Sequence, residues 1–226
     1  MKKLVRLYIT RHGQTEYNLE HRAQGWSDSP LTENGREIAA RLGRGLSGIK
    51  FDYVYSSSSK RAYDTARIVL DNMGADLPVS TDDNLKERGL GKLEGRVLGR
   101  SAWDAACAAA DTAGHIGKLD LEALNDSYES IEILDGLPIE KPYNLEDFNE
   151  FKIRLKKALD DICEKAEGAQ SNVFVVSHGL SILAMIYSIT GDKYGKSFID
   201  NASVTLIEYI DGVYYIRKVN DKSFIE

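Results

Sequence analysis

The sequence is short of the residues that most often announce a function. Its two cysteines, Cys107 and Cys163, lie far apart at no metal-ligand spacing, so they read as buried or half-buried thiols. Four histidines occur, none in a His-x-x-x-His or Asp-x-His arrangement, which argues against a zinc or binuclear metal site. No apolar run approaches the eighteen or so residues of a membrane span, and Met1-Lys2-Lys3 leads into no apolar stretch of signal-peptide length; the expected location is the cytoplasm, with no membrane partner. Positive charge is also in deficit. With 29 Lys and Arg against 35 Asp and Glu, the net charge is −6 and the pI near 5.4. That balance excludes the diffuse basic surface of a non-specific nucleic-acid binder, while a small anion still fits a pocket that concentrates cations.

What remains is an ordinary globular composition, 42% hydrophobic and 28% charged over 226 residues. A chain of this length buries roughly 70% of the surface exposed on unfolding. Leu4 to Thr10 reads as a strand, and Phe51 to Tyr55 as a second. Thr32 caps a helix with Ile38, Leu42 and Leu46 on one face. Lys60 to Met73 is helical up to Gly74, and Leu145, Phe148, Phe151, Leu155, Leu159 and Ile162 mark a further helix closed by Gly168. Asn172 to Val176 is an apolar, β-branched run suited to a strand covered on both faces. A helix follows from Gly179 to Thr190, and Asp211-Gly212 joins Ser203–Ile210 to Val213–Val219 as a hairpin. Alternating strands and helices predict an α/β fold, a three-layer α/β/α sandwich around a mostly parallel sheet. One domain is expected over 1–226. Residues 96–144 form an excursion from it, helical over Ala105–Ala113 and then broken by Gly114, Gly117, Gly136, Pro138 and Pro142.

Four clusters carry chemistry. Arg11-His12-Gly13 follows the first strand, at the strand end where open α/β sheets place ligands. Ser177-His178-Gly179 closes a second strand and opens a helix, whose N-terminal N–H groups favour an anion. In Ser57-Ser58-Ser59-Lys60-Arg61 the arginine stands in a first helical turn, against the helix dipole, which is reasonable if it faces phosphate oxygens. Leu85-Lys86-Glu87-Arg88-Gly89-Leu90-Gly91-Lys92-Leu93-Glu94-Gly95 is either a solvated turn or the source of a carboxylic proton donor.

Together with Gln14-Thr15-Glu16-Tyr17-Asn18, Arg22-Ala23-Gln24-Gly25-Trp26-Ser27-Asp28-Ser29-Pro30-Leu31-Thr32 and Asn201-Ala202-Ser203, these clusters resemble the histidine phosphatase superfamily, in its phosphoglycerate-mutase-like branch. The resemblance implies that neutral His12 attacks the phosphorus of a monoester, giving a phosphohistidine later cleared by water or another acceptor. Arg11, Arg61 and His178 match positions that hold the non-bridging oxygens, with His178 protonated while phosphate is bound. Glu87 matches the carboxyl that protonates the leaving oxygen, with Glu94 as its rival. Asn18, Gln24, Gly25 and Gly179 fall at substrate-binding positions. No metal and no cofactor are implied. Leu180-Ser181 after the second His-Gly, and the lack of an aromatic after Glu87, depart from the common pattern.

The leading reading is a phosphatase for a small phosphorylated metabolite, and the alternative is a cofactor-dependent phosphoglycerate mutase. A binding module that has lost its chemistry is disfavoured, because the Glu87-type acid is present. The excursion separates the first two. It carries Asp104, Asp111, Asp120, Glu122, Asp126, Glu129, Glu132 and Asp135, with Lys118 and no arginine between Trp103 and Asp135. A wall of that sign repels an anionic acceptor and favours water.

Overall fold

A computed structural model of the chain describes residues 3–97, 144–191 and 199–225. The expected 105–113 helix, Cys107, the acidic wall and nearly all of the 96–144 excursion lie outside the described residues.

Six strands form one sheet: β1 (Leu4–Arg11), β2 (Tyr53–Ser57), β3 (Val79–Asp82), β4 (Gln170–Ser177), β5 (Val204–Ile210) and β6 (Val213–Asp221), in the order β3-β2-β4-β1-β5-β6. The four strands from β3 to β1 run parallel, while β5 and β6 are antiparallel additions at one edge. Register along β1 and β4 pairs Leu4 with Gln170 and Arg11 with Ser177, and His12 N–H extends the ladder to the Ser177 carbonyl at 3.0 Å. That pairing sets the two strand-end histidines side by side.

Period-two alternation divides the sheet's side chains between two cores. Val5, Leu7, Ile9, Val173 and Val175 face α4 (Phe148–Lys165) and α5 (Gly179–Thr190); Val54, Phe174, Val176 and Val204 face α2 (Glu33–Leu46) and α3 (Lys60–Met73). The result is the expected three-layer α/β/α arrangement with a mixed, mostly parallel sheet. Thr32 caps α2 by accepting from Gly35 N–H, and Gly74 and Gly191 end α3 and α5 in left-handed conformation. Asp147 caps α4, so Leu145, predicted inside that helix, precedes it. Two elements lack a sequence signal: β3, and the single turn α1 (Glu16–Leu19), whose capping box joins Thr15 and Asn18. Cys163 is buried in α4 and its thiol is pushed up to about 12 by burial. Among the described residues no helix is long and apolar enough to cross a membrane.

Phe174 sits fully buried at the sheet's centre, its ring 5.5 Å from that of Phe51, which in turn meets Tyr8 edge-on. Phe174→Ala is expected to cost about 3–5 kcal/mol of stability, read as a lower urea midpoint at unchanged slope. A loss no larger than that of a surface substitution would contradict this packing.

Candidate active site

Arg61 enters the site from the first turn of α3 and is almost wholly buried. All five of its N–H groups have acceptors. Nε donates to His12 Nε2 at 3.2 Å, Nη1 to the Ser27 carbonyl at 2.8 Å and to Asp28 Oδ1 at 3.1 Å, and Nη2 to the Gly25 carbonyl at 2.8 Å and to His178 Nδ1 at 3.0 Å. Asp28 also accepts from the backbone N–H of Lys60 at 2.5 Å, so it caps α3 where the N-cap residue Ser59 makes no side-chain cap.

An arginine only donates, so these contacts fix both imidazole tautomers. His12 must accept at Nε2 and therefore carries its proton on Nδ1, which donates to the Gly13 carbonyl at 2.8 Å. His178 accepts at Nδ1 and donates from Nε2 to Ser57 Oγ at 2.8 Å. The ring centroids stand 5.2 Å apart. Burial, followed by the positive charges of Arg61 and Arg11, holds His12 well below its ordinary 6.5; burial, Arg61, His12 and Arg11 do the same to His178. Both rings are neutral bases at neutral pH. Arg11, from the end of β1, donates Nη1 to the Ile199 carbonyl at 2.7 Å, and burial pushes it down to about 10, still charged at neutral pH.

Glu87 is buried with its carboxylate at the N-terminus of α5. Oε2 accepts from Leu180 N–H at 3.1 Å, and Oε1 from Ser181 Oγ and Arg88 N–H, each at 3.0 Å. Burial outweighs those donors and raises its pKa above 4.5. Glu94 differs. Its two oxygens accept from the backbone N–H groups of Gly25, Trp26, Ser27 and Leu90 and from Ser27 Oγ. Burial alone would raise it, but the donors from Ser27, Leu90 and Trp26 prevail and hold it below 4.5. One carboxyl is poised to keep a proton; the other is the anionic hub of the 24–29 loop.

The model of the histidine phosphatase superfamily (branch 1) matches residues 7–113 and 117–222. The chain belongs to the histidine phosphatase superfamily. A crystal structure of a phosphoglycerate mutase from Bacillus anthracis is 38% identical, with a TM-score of 0.88 over 99% of this chain and 96% of that one. A phosphoglycerate mutase-like protein of Arabidopsis thaliana is 30% identical over 97% of this chain and 86% of its own length. A broad-specificity phosphatase of Saccharomyces cerevisiae is 28% identical over 96% and 86%. The chain is thus an enzyme of the phosphatase and phosphoglycerate-mutase type.

Of the positions that the superfamily resemblance singled out, His12, Arg11, Arg61, His178 and Glu87 share one buried cluster. Of the others, Gly25 reaches it directly, its carbonyl accepting from Arg61. Asn18 Oδ1 accepts from Thr15 N–H at 3.1 Å within the α1 cap. Gln24 has both ends of its amide engaged, accepting from Thr15 Oγ1 at 2.8 Å and donating to Ser29 Oγ at 2.9 Å. Gly25 lies so close to the Arg88 carbonyl that a Cβ would stand 2.2 Å from it, and a Cβ on Gly179 would stand 3.4 Å from Arg11 Nε. Asn201, in the last superfamily block, donates Nδ2 to the His12 carbonyl at 2.8 Å. Ser57, Asp28 and Ser181 are site residues that the sequence reading left without roles. Each stands inside or beside a quoted block, yet a lone serine or aspartate carries no signal of what it touches. Among the described residues no group of three or more His, Cys, Asp or Glu side chains is placed to hold a metal ion.

Glu94 gives a test of the loop. Because its folded pKa is depressed, its contribution to stability is present above the unfolded value and is lost as pH falls through the folded one. Glu94→Gln is expected to remove about 1.5–3 kcal/mol at neutral pH, the loss shrinking in acid, where wild type gives up the same interaction. A urea series at several pH values checks it, and a pH-independent loss would refute the charged hub.

Proposed function

We propose that the chain hydrolyses a small phosphorylated metabolite in the cytoplasm through a phosphohistidine on His12 Nε2. The observation that carries this reading is the His12 tautomer: with Nδ1–H on the Gly13 carbonyl, Nε2 keeps the ring's lone pair, held by an Arg61 N–H in a buried cluster that Arg61 and Arg11 make positive. Such a nitrogen needs no general base to attack phosphorus.

In this mechanism an arriving phosphate takes over the N–H groups that Arg61 gives to the two imidazoles, releasing the His12 lone pair for attack. Arg11, Arg61 and the Asn18 amide hold the non-bridging oxygens. Two negative charges beside His178 offset the neighbours that keep it neutral, so it protonates and donates as well. As the Nε2–phosphorus bond forms and the ester P–O bond breaks, Glu87 gives its proton to the leaving oxygen. The Glu87 carboxylate then takes a proton from water, whose oxygen attacks phosphorus and returns His12 Nε2 with inorganic phosphate. Gln24 and Gly25 shape the loop under the phosphate, and Gly179 lets Arg11 lie close. The cation between the imidazoles is a guanidinium, so the reading needs no metal or other cofactor. Residues 96–144 serve as the substrate-recognition excursion of a single domain.

The mutase alternative draws on the Bacillus anthracis structure, whose name is that of a mutase. Against it stand the eight acids from Asp104 to Asp135 and the lack of any arginine in that stretch. One assay decides. In excess chelator and primed with 2,3-bisphosphoglycerate, the protein should release inorganic phosphate from a generic aryl phosphate and interconvert 2- and 3-phosphoglycerate slowly or not at all. Acid-labile, alkali-stable phosphate should be trapped on His12, and His12→Ala should abolish turnover. Isomerisation faster than hydrolysis establishes the mutase; phosphate trapped on a serine removes the nucleophile assignment.

A pH profile tests the acid. His12, held below its ordinary 6.5, keeps its lone pair at a pH where a free imidazole is already protonated, so attack persists there. Glu87 donates only while protonated, and its pKa is raised above 4.5. Turnover of an alkyl phosphate should therefore decline as pH rises through the Glu87 value, whereas that of nitrophenyl phosphate, with a good leaving group, should depend on it little. Glu87→Gln should cost alkyl phosphates about 10²–10⁴-fold and nitrophenyl phosphate far less. Equal losses on both would move the donor role elsewhere.

A further inference from the structure

One ion pair near the site touches none of the groups assigned to phosphorus. Arg154 in α4 and Glu146 just before it are 16% and 12% exposed, and among the described residues no other ion pair has both partners so buried. Arg154 grips Glu146 with two N–H groups, Nε to Oε1 at 2.5 Å and Nη2 to Oε2 at 2.8 Å. Its remaining three N–H groups go to main-chain carbonyls: Asn84 at 2.9 Å, Lys86 at 2.7 Å and Glu87 at 2.8 Å. The Phe151 ring lies 4.8 Å from the guanidinium and fixes its plane. Glu146 works on the same segment. Its Oε2 accepts from Gly89 N–H at 2.9 Å, its carbonyl from Arg88 Nε at 2.8 Å, and its own N–H donates to the Gly89 carbonyl at 2.8 Å.

Residues 84–89 therefore leave the 3-10 turn at Asp83–Leu85 with the Asn84, Lys86 and Glu87 carbonyls and both backbone polar groups of Gly89 held by one ion pair and its backbone. Buried carbonyls need partners, but three of the four from Asn84 to Glu87 converging on a single side chain do more than meet that need. They set the height and rotation of the Glu87 backbone, and the carboxyl on its far side meets Leu180 and Ser181 of α5. We infer that Arg154 and Glu146 are positioning residues for Glu87, clamping its backbone to α4 so that its carboxyl is held at the N-terminus of α5 and over the leaving oxygen. The catalytic half of this inference rests on the proposed role of Glu87 as proton donor; the geometric half does not. Lysine cannot replace the arginine, because a single ammonium cannot reach a carboxylate in two places and three carbonyls together.

The test uses the full chain with two variants, Arg154→Lys and Glu146→Gln, each checked for native circular dichroism. A misplacement near 1 Å costs about 10²-fold in rate, so turnover of an alkyl phosphate should fall by about that factor in Arg154→Lys. Nitrophenyl phosphate turnover should largely survive. Combined with Glu87→Gln, Arg154→Lys should add no further loss on the alkyl substrate, because it acts through the residue already removed. Independently of any assay, carbon-13 NMR of labelled glutamate should find the Glu87 carboxyl titrating closer to 4.5 in Arg154→Lys, as water reaches a loosened segment. Arg61 from α3 and Arg11 from β1, the charged groups facing that carboxyl, are unchanged in the variant. Equal losses on both substrates, or an additive loss in the double variant, overturn the inference. If Glu87→Gln by itself hurts both substrates equally, the donor role fails, and the clamp is then judged by the titration alone: an unmoved Glu87 carboxyl overturns it too.

Discussion

A buried guanidinium with five donors tolerates very few surroundings. Removing a cation from water costs several kcal/mol even after relaxation, and an unmatched N–H adds to that. Arg61 meets the demand with two carbonyls of the 24–29 loop, the Asp28 carboxylate and both imidazoles. Each acceptor belongs to a segment the chain visits separately: the end of β1, the loop before α2, and the end of β4. Much of the site's order descends from this. The 24–29 loop must lie across α3 to supply acceptors, and Glu94 must hold that loop by its N–H groups because its carbonyls point at Arg61. Asp28 brings its negative charge to the N-terminus of α3, where the dipole welcomes it and where Arg61 would otherwise be unfavourable.

Burial, with the same cation behind it, sets the histidines' protonation states. Both act in one direction on the imidazoles and keep them unprotonated, as a nucleophile requires. Burial acts in the opposite sense on the Glu87 carboxyl and, against the charge of Arg61, raises its pKa, the direction a donor requires. Environments that push a base down and an acid up in one pocket are the physical mark of an assigned acid and base. Glu94, nearby in sequence, shows that burial alone does not decide: with backbone N–H donors converging on it, a half-buried carboxyl falls below its ordinary value.

Much of this was legible in the sequence because the chemistry sits at strand ends, and strand ends have local signatures. Leu4–Thr10, rich in β-formers, and the apolar, β-branched Asn172–Val176 announce themselves as strands, and one residue after each comes a His-Gly. That these two strands are neighbours was not legible. Nothing local joins residue 4 to residue 170, and the pairing follows only from closing both cores at once. β3 escaped notice because an edge strand of four residues with two exposed side chains has no apolar run to read. α1 is too short for periodicity and exists through its cap. Arg154 looked like any charge on the flank of an amphipathic helix, and only the path of 84–89 beneath it gives it a purpose. Ser57, one of four consecutive serines, and Ser181, between Leu180 and Ile182, are small polar residues whose meaning depends on which ring or carboxyl they meet.

The N-terminus of α5 shows how a local signal can be right in kind and different in detail. A helix opening directly after a His-Gly suggests an anion at its free N–H groups, with substrate phosphate the natural candidate. The anion found there is internal, because Leu180 N–H and Ser181 Oγ are directed at the Glu87 carboxyl. For a group proposed to release a proton in the transition state, this is the useful arrangement. Burial raises the pKa of the carboxyl, while the helix N–H, the serine hydroxyl and Arg88 N–H already surround the charge that appears once a proton leaves. No donor has to turn toward the new carboxylate, so its stabilisation is available as the charge develops and needs no reorganisation. In the proposed mechanism phosphate is then left to the arginines and histidines. Two anions would be divided between two positive surfaces, one of helix amides and one of side chains, so that a carboxylate and a phosphate need not compete for the same donors.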